Sequence, residues 1–153
     1  MRHYRLLPLA LIMVLISPVL SHAQKTPVKK DSIRISCLLV DAKELPEEKQ
    51  AFDMGKEIKL AISSATDTTV KAVIDGVVTN VQQDEQGSFE VVFYHNDYWF
   101  WVSGITKATV RKGQKLKRGD TIGIAPTGTR IELLMYDFET LVDAKKYMDQ
   151  CAN

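Results

Sequence analysis

Histidine is scarce in this chain. The 153 residues hold three, and two of them, His3 and His22, lie within the first 23 positions. His95 alone remains in the body of the sequence. A hydrolytic zinc site needs three protein ligands and an open position for water, so this shortage works against it from the start. Neither a Ser-His-Asp nor a Cys-His arrangement finds support beyond the presence of the residue types. An excess of one charge is also missing. Twenty Lys and Arg residues face nineteen Asp and Glu, and near-neutrality argues against nucleic acid or an anionic membrane as partner. A phosphate-gripping loop is absent as well, because "GIAPTGT" lacks the lysine such a loop requires.

What is present begins with the N-terminus. "MRHYRLLPLALIMVLISPVLSHAQ" opens with Arg2 and Arg5, continues in an apolar run from Leu6 to about Leu20, and closes on Ser21-His22-Ala23. This is the three-part layout of a secretory signal peptide with cleavage expected after Ala23. The run is short for a bilayer span, so no transmembrane segment is expected after cleavage. Export to the periplasm or cell envelope follows. Loss of Arg2 and Arg5 leaves 18 basic against 19 acidic residues. Residues 24–32 read as a flexible tail, and 33–153 as one domain. Outside the cytosol Cys37 and Cys151, the two cysteines of the chain, are able to pair; a buried thiol and a loose thiol is the other reading.

Along the domain the apolar period is two. Strands are expected in "SIRISCLLV" and at Ile58–Ile62, Thr69–Val73, Val77–Val81, Phe89–Tyr94, Tyr98–Ser103, Thr121–Ala125 and Ile131–Met135. Asp75-Gly76, Glu85–Gly87 and Asn96-Asp97 supply turn chemistry between them. Short helices are expected over Leu45–Phe52 and in "VDAKKYMDQ", the latter with Asp143 as N-cap. The fold class is therefore all-β, with small helices at either end. "VRKGQKLKRGDTIG" carries five basic side chains, yet it follows a period of six. Val110, Leu116 and Ile122 recur as the apolar member, and Gly113 and Gly119 as the turn member. That pattern suits successive turns with one side chain tucked inward per unit, and "RGD" at Arg118–Asp120 falls inside it as turn chemistry.

Taken together, "TTVKAVIDGVVTNV", "FEVVFYHNDY", "ATVRKGQKLKRGDTIGIAPTGTRIELLMYD" and "LVDAKKYM" resemble the core of the M23 (LytM-like, lysostaphin-type) zinc endopeptidases, over about Ile58 to Met148. The resemblance implies a small antiparallel β-sandwich of the duplicated hybrid-motif type, with a groove over its main sheet. The family cuts peptide cross-links of peptidoglycan. It takes zinc ligands from a His-x-x-x-Asp stretch and from the second His of a His-x-His strand. Here those positions carry Glu57 and Ala61 in the first stretch, and Arg130 and Glu132 in the second. Gly104 or Ser103 stands where another groove histidine is expected, and His95 matches a framework histidine. A guanidinium cannot ligate a metal and repels one. No zinc cofactor is therefore expected.

A fold that keeps its core and loses its metal can still bind. Arg130 and Glu132, two apart on a strand, share a face; the readings are recognition of a stem peptide or an ion pair filling a vacated site. Trp99 and Trp101 share the opposite face from Tyr98, Phe100 and Val102, and form either a contact surface for glycan or protein or part of a doubly buried strand. The implied function is a non-catalytic envelope protein that binds peptidoglycan, or binds and regulates a cell-wall hydrolase. The alternative is a metalloendopeptidase with a rebuilt site drawing on Glu57, Glu132 and His95. A biotinyl or lipoyl carrier would need a lysine at a hairpin tip, which "LLMYDF" does not offer.

Overall fold

Alternation in the sequence becomes strand almost throughout the computed structural model, which describes residues 33–46 and 58–149. The expected signal segment, the tail to residue 32, Glu57 and Cys151 lie outside those residues, as does most of the helix expected over Leu45–Phe52. In chain order the strands are β1 (Ala42–Glu44), β2 (Leu60–Ser64), β3 (Thr69–Lys71), β4 (Gly76–Gln83), β5 (Phe89–His95), β6 (Tyr98–Ile105), β7 (Lys107–Ala108), β8 (Lys115–Leu116), β9 (Thr121–Ile124), β10 (Ile131–Asp137) and β11 (Thr140–Val142). The larger sheet runs β1-β2-β10-β6-β5-β4-β8, with β11 also paired to β10, and the smaller runs β3-β9-β7. Every pairing between these strands is antiparallel.

Both sheets feed one core. Val91 and Phe93 of β5, Phe100 and Val102 of β6, and Ile131, Leu133 and Met135 of β10 are fully buried on one face of the larger sheet. Val70 of β3 and Ile122 of β9 meet them from the smaller sheet. Phe93 stacks on Phe100 with ring centroids 5.1 Å apart. Gly123 on β9 is held to glycine by space, since a Cβ there would overlap the Ile105 side chain. The β5–β6 hairpin turns on Asn96 at φ 52°, between the paired His95 and Tyr98. This is the two-residue loop expected of Asn96-Asp97.

The period of six is built into the backbone. Gly113 donates its N–H to the Val78 carbonyl at 2.7 Å, and Gly119 donates to the Ala72 carbonyl at 2.8 Å. Gln114 N–H returns to the Arg111 carbonyl and Asp120 N–H to the Lys117 carbonyl. The side chains repeat as well: Gln114 Oε1 accepts from Arg111 N–H and Asp120 Oδ2 from Lys117 N–H. Val110, Leu116 and Ile122 all point into the core. Both glycines have positive φ, 82° and 87°, with open space where a Cβ would go. Here the backbone angle, not crowding, selects glycine. Arg118 of the "RGD" run is tied to the frame, its N–H to Asp75 and its guanidinium to Asp149 at 3.1 Å.

Two expectations are corrected. "SIRISCLLV" does not form a strand; it makes a single parallel bridge, Ile35 to Met148, and then bends. Its buried residues are Ile35, Leu38 and Leu39, a spacing set by contacts with the rest of the fold rather than by alternation. The C-terminal helix shrinks to one turn of 3-10 helix, Ala144–Tyr147, although Asp143 does cap it by accepting from Lys145 N–H. The small strands β1, β7, β8 and β11, at two or three residues, carry no period that the sequence could announce.

Candidate functional site

The face of the larger sheet turned away from the core holds Arg130, Glu132, Ala61, Ser103, Trp99 and Trp101 of the positions singled out in the sequence. Burial alternates along β10, with Arg130, Glu132, Leu134 and Tyr136 half-buried between the buried Ile131, Leu133 and Met135. Across the sheet Glu132 is paired with Ala61 of β2 on one side and with Ser103 of β6 on the other. Antiparallel partners share a face, so Ala61, Glu132 and Ser103 form one row. Lys59, two residues before Ala61, belongs to the same face.

Charge organises this end of the face. Glu132 Oε1 accepts from Arg130 Nε at 2.7 Å, and Oε2 faces Lys59 Nζ at 3.1 Å. Arg130 Nη1 reaches the Pro46 carbonyl at 3.3 Å. Burial alone would raise the Glu132 carboxyl, but the hydrogen bonds and charges of Arg130 and Lys59 overcome it and hold the group below its ordinary range. Two fixed cations thus flank one carboxylate whose oxygens are both engaged, and Ala61 beside it offers no donor atom. Zinc requires several nitrogen, sulfur or oxygen ligands free to converge, and this set does not suit it. Among the described residues no group of three or more His, Cys, Asp and Glu converges anywhere.

The other residues singled out fall in different places. His95 lies at the far end of β5, paired with the buried Tyr98 on the core side of the sheet, and its Nδ1 meets the Asp75 carbonyl at 2.9 Å. It therefore does not converge with Glu132 in a rebuilt metal site, and Glu57 is outside the described residues. Gly104 is structural: its φ is 84°, and a Cβ would overlap the Arg130 carbonyl oxygen. It lets β6 pass close to the residue that carries the guanidinium. Cys37 is disulfide-bonded.

Further along the same face the chemistry turns aromatic. Leu134 sits opposite Trp101, and Tyr136 opposite Trp99. Tyr94 and Val92 continue the row on β5. Trp101 is half-buried and donates its Nε1–H to Glu90, which also accepts from Gln82 at 2.7 Å. Trp99 remains 38% exposed, so the strand is not doubly buried. Trp99, Trp101, Tyr136, Phe138 and Glu139 line a concavity of about 440 Å³. Sequence reasoning found the two tryptophans but missed the rest. Tyr136 could have been found from its place four residues after Glu132 on the same strand face. Phe138 lies in a turn at φ 57°, where periodicity is silent. Lys59 was missed although it stands two residues before Ala61.

Comparison with known proteins gives this geometry a family. The fold is similar to that of Csd3 from Helicobacter pylori (12% identity, TM-score 0.64, covering 78% of this chain and 34% of that one). It is similar to the antimicrobial peptidase lysostaphin from Staphylococcus simulans (18% identity, TM-score 0.57, 70% of this chain and 50% of that one). It is also similar to a chain of the SpoIIIAH and SpoIIQ complex (14% identity, TM-score 0.62, 75% of this chain and 100% of that one). This chain thus spans about a third of the Csd3 chain and half of the lysostaphin chain. No curated protein matches it in sequence. The sequence model of peptidase family M23 matches residues 57–145. With more than half of its residues inside that match, and with this sandwich as its fold, the chain belongs to peptidase family M23.

Proposed function

We propose that this protein is an exported, non-catalytic member of family M23 that binds through the face described above, with the peptide part of peptidoglycan as ligand. One observation carries the reading. The row of Glu132 and Ala61, which the resemblance aligns with the family's metal ligands, holds an Arg130–Glu132–Lys59 ion network. Such a network offers guanidinium, ammonium and carboxylate groups to a peptide's own charged and amide groups. Its two cations would repel a metal ion, so the reading assigns binding without cleavage and no zinc requirement. Export rests on the N-terminal segment, and N-terminal sequencing of the secreted protein should begin at Gln24.

A second reading, in which a protein partner such as a cell-wall hydrolase is bound and regulated, is favoured by the exposed Trp99 and Phe138. The likeness to a chain of the SpoIIIAH and SpoIIQ complex, itself a protein–protein assembly, points the same way. Co-sedimentation with purified sacculi separates the two. The wild-type protein should pellet with the sacculi, and the Arg130→Ala, Glu132→Ala double variant should remain in solution. Pelleting that survives the double change removes the charged row from the binding site. Failure of the wild type to pellet turns the reading toward a protein partner. Cleavage of cross-bridges that stops on addition of a chelator would overturn the non-catalytic reading outright.

A further inference from the structure

The aromatic concavity at the far end of the face is chemically distinct from the charged row. From Glu132 to Tyr136 is four residues of strand, about 13 Å. Its walls are Trp99, Trp101, Tyr136 and Phe138, and its one charged group is Glu139. No lysine or arginine lines it, and Glu139 has no ion-pair partner among the described residues. Trp101 and Tyr136 meet edge-on at 63°, with centroids 6.0 Å apart, so they stand as adjoining walls rather than a flat platform. Phe138 is 68% exposed. It is held in position by its own N–H, which donates to the Asp97 carbonyl at 2.7 Å.

Aromatic faces carry negative potential, and rings set at an angle around a small volume attract an organic cation from several sides. A purely apolar ligand would leave the Glu139 carboxylate without a counter-charge, and an anion would be repelled by it. The volume lies within the range of small-molecule sites. We infer that this concavity is a binding site for an alkylammonium group, with the four rings as its cage and Glu139 as its counter-charge. The group is carried either by a lysine-type side chain or by a quaternary amine. The inference does not depend on the Arg130–Glu132–Lys59 row, and either can fail without the other.

The chain contains two tryptophans, and both line this site, so intrinsic fluorescence reports on it directly. The full mature protein is titrated with Nα-acetyl-lysine amide, with choline, with 3,3-dimethyl-1-butanol as the neutral isostere of choline, and with N-acetylglucosamine. Saturable change with either cation and none with the neutral alcohol is expected; which cation saturates identifies the source of the group. Glu139→Gln should weaken that binding roughly two- to fivefold, and Phe138→Ala about three- to tenfold. Both variants keep both tryptophans and alter exposed residues, and an unchanged melting temperature confirms that they fold. Equal saturation by the neutral alcohol overturns the inference in favour of a merely apolar cleft. Saturation by the sugar alone overturns it in favour of ring stacking. Absence of saturation by every probe up to tens of millimolar also overturns it.

Discussion

At Gly104 strand β6 runs so close to Arg130 that a methyl group would overlap the carbonyl oxygen, and φ is already in the left-handed region. Gly104→Ala therefore meets two penalties at once. It should lower stability by about 2 kcal/mol or more in thermal or urea unfolding. Gly113→Ala meets only the backbone penalty, because nothing lies within 4 Å of the added carbon, and should cost about 1 kcal/mol. Glu132 makes a prediction in pH. Its carboxyl titrates lower in the folded protein than in the unfolded chain. Its contribution to stability is thus full above the unfolded value of about 4.3 and is lost as pH falls through the lower folded value. Glu132→Gln should be less stable than wild type at neutral pH, with the gap closing below about pH 4 in acid titrations followed by circular dichroism. The sequence already placed Arg130 and Glu132 on one face, because strand alternation is strictly local. It did not place Lys59 beside them, because that contact depends on β2 and β10 becoming neighbours.

At the scale of elements, the six-residue repeat settles what the basic loop is for. The first two units each put one apolar residue inside, one glycine at positive φ, and one N–H on a carbonyl earlier in the chain, and Ile122 repeats the apolar member. The cations fill the wet positions left over. Replacing Arg111, Lys112 and Lys115 by glutamine should change stability by less than about 0.5 kcal/mol in chemical unfolding, since all three side chains are exposed. This repeat, and the hairpin on Asn96, were legible because turn chemistry and a buried residue recur at fixed spacing. "SIRISCLLV" misled for the opposite reason. Its alternation at Ile33, Ile35, Cys37 and Leu39 is real in the sequence, but Leu38 is fully buried while Cys37 is not. Tertiary contacts with β3, the residues just after it and the C-terminal turn chose the conformation: Lys71 N–H bonds to the Leu38 carbonyl, Ser36 N–H to the Val73 carbonyl and Ile35 N–H to that of Tyr147. The aromatic site was legible only by half, since Phe138 and Glu139 belong to a turn that no period announces.

At the scale of the molecule, the two ends of the domain are fastened together. Ile35 bridges Met148 in parallel, Asp149 N–H donates to the Ile35 carbonyl at 2.9 Å, and Cys37 nearby in sequence is disulfide-bonded. Cys37→Ser should lower the unfolding free energy by about 2–4 kcal/mol, and a reductant should bring the wild type to the same melting temperature while leaving the variant unchanged. The backbone bonds around Ile35 persist in either case, so the variant should still fold.

The order of strands has one more result. The long strands β5, β6 and β10 are interior, while the ends of the larger sheet are the three-residue β1 and the two-residue β8. Beyond β8, the remainder of β4 is interrupted by a bulge between Val78 and Asn80 and finishes in the exposed Gln82 and Gln83. Among the described residues, a second molecule seeking a backbone to zip onto at the edges of the larger sheet finds only brief, kinked or hydrated stretches. Crowded copies therefore have little backbone to share along those edges, and the larger sheet gives fibril growth from the native state a poor template.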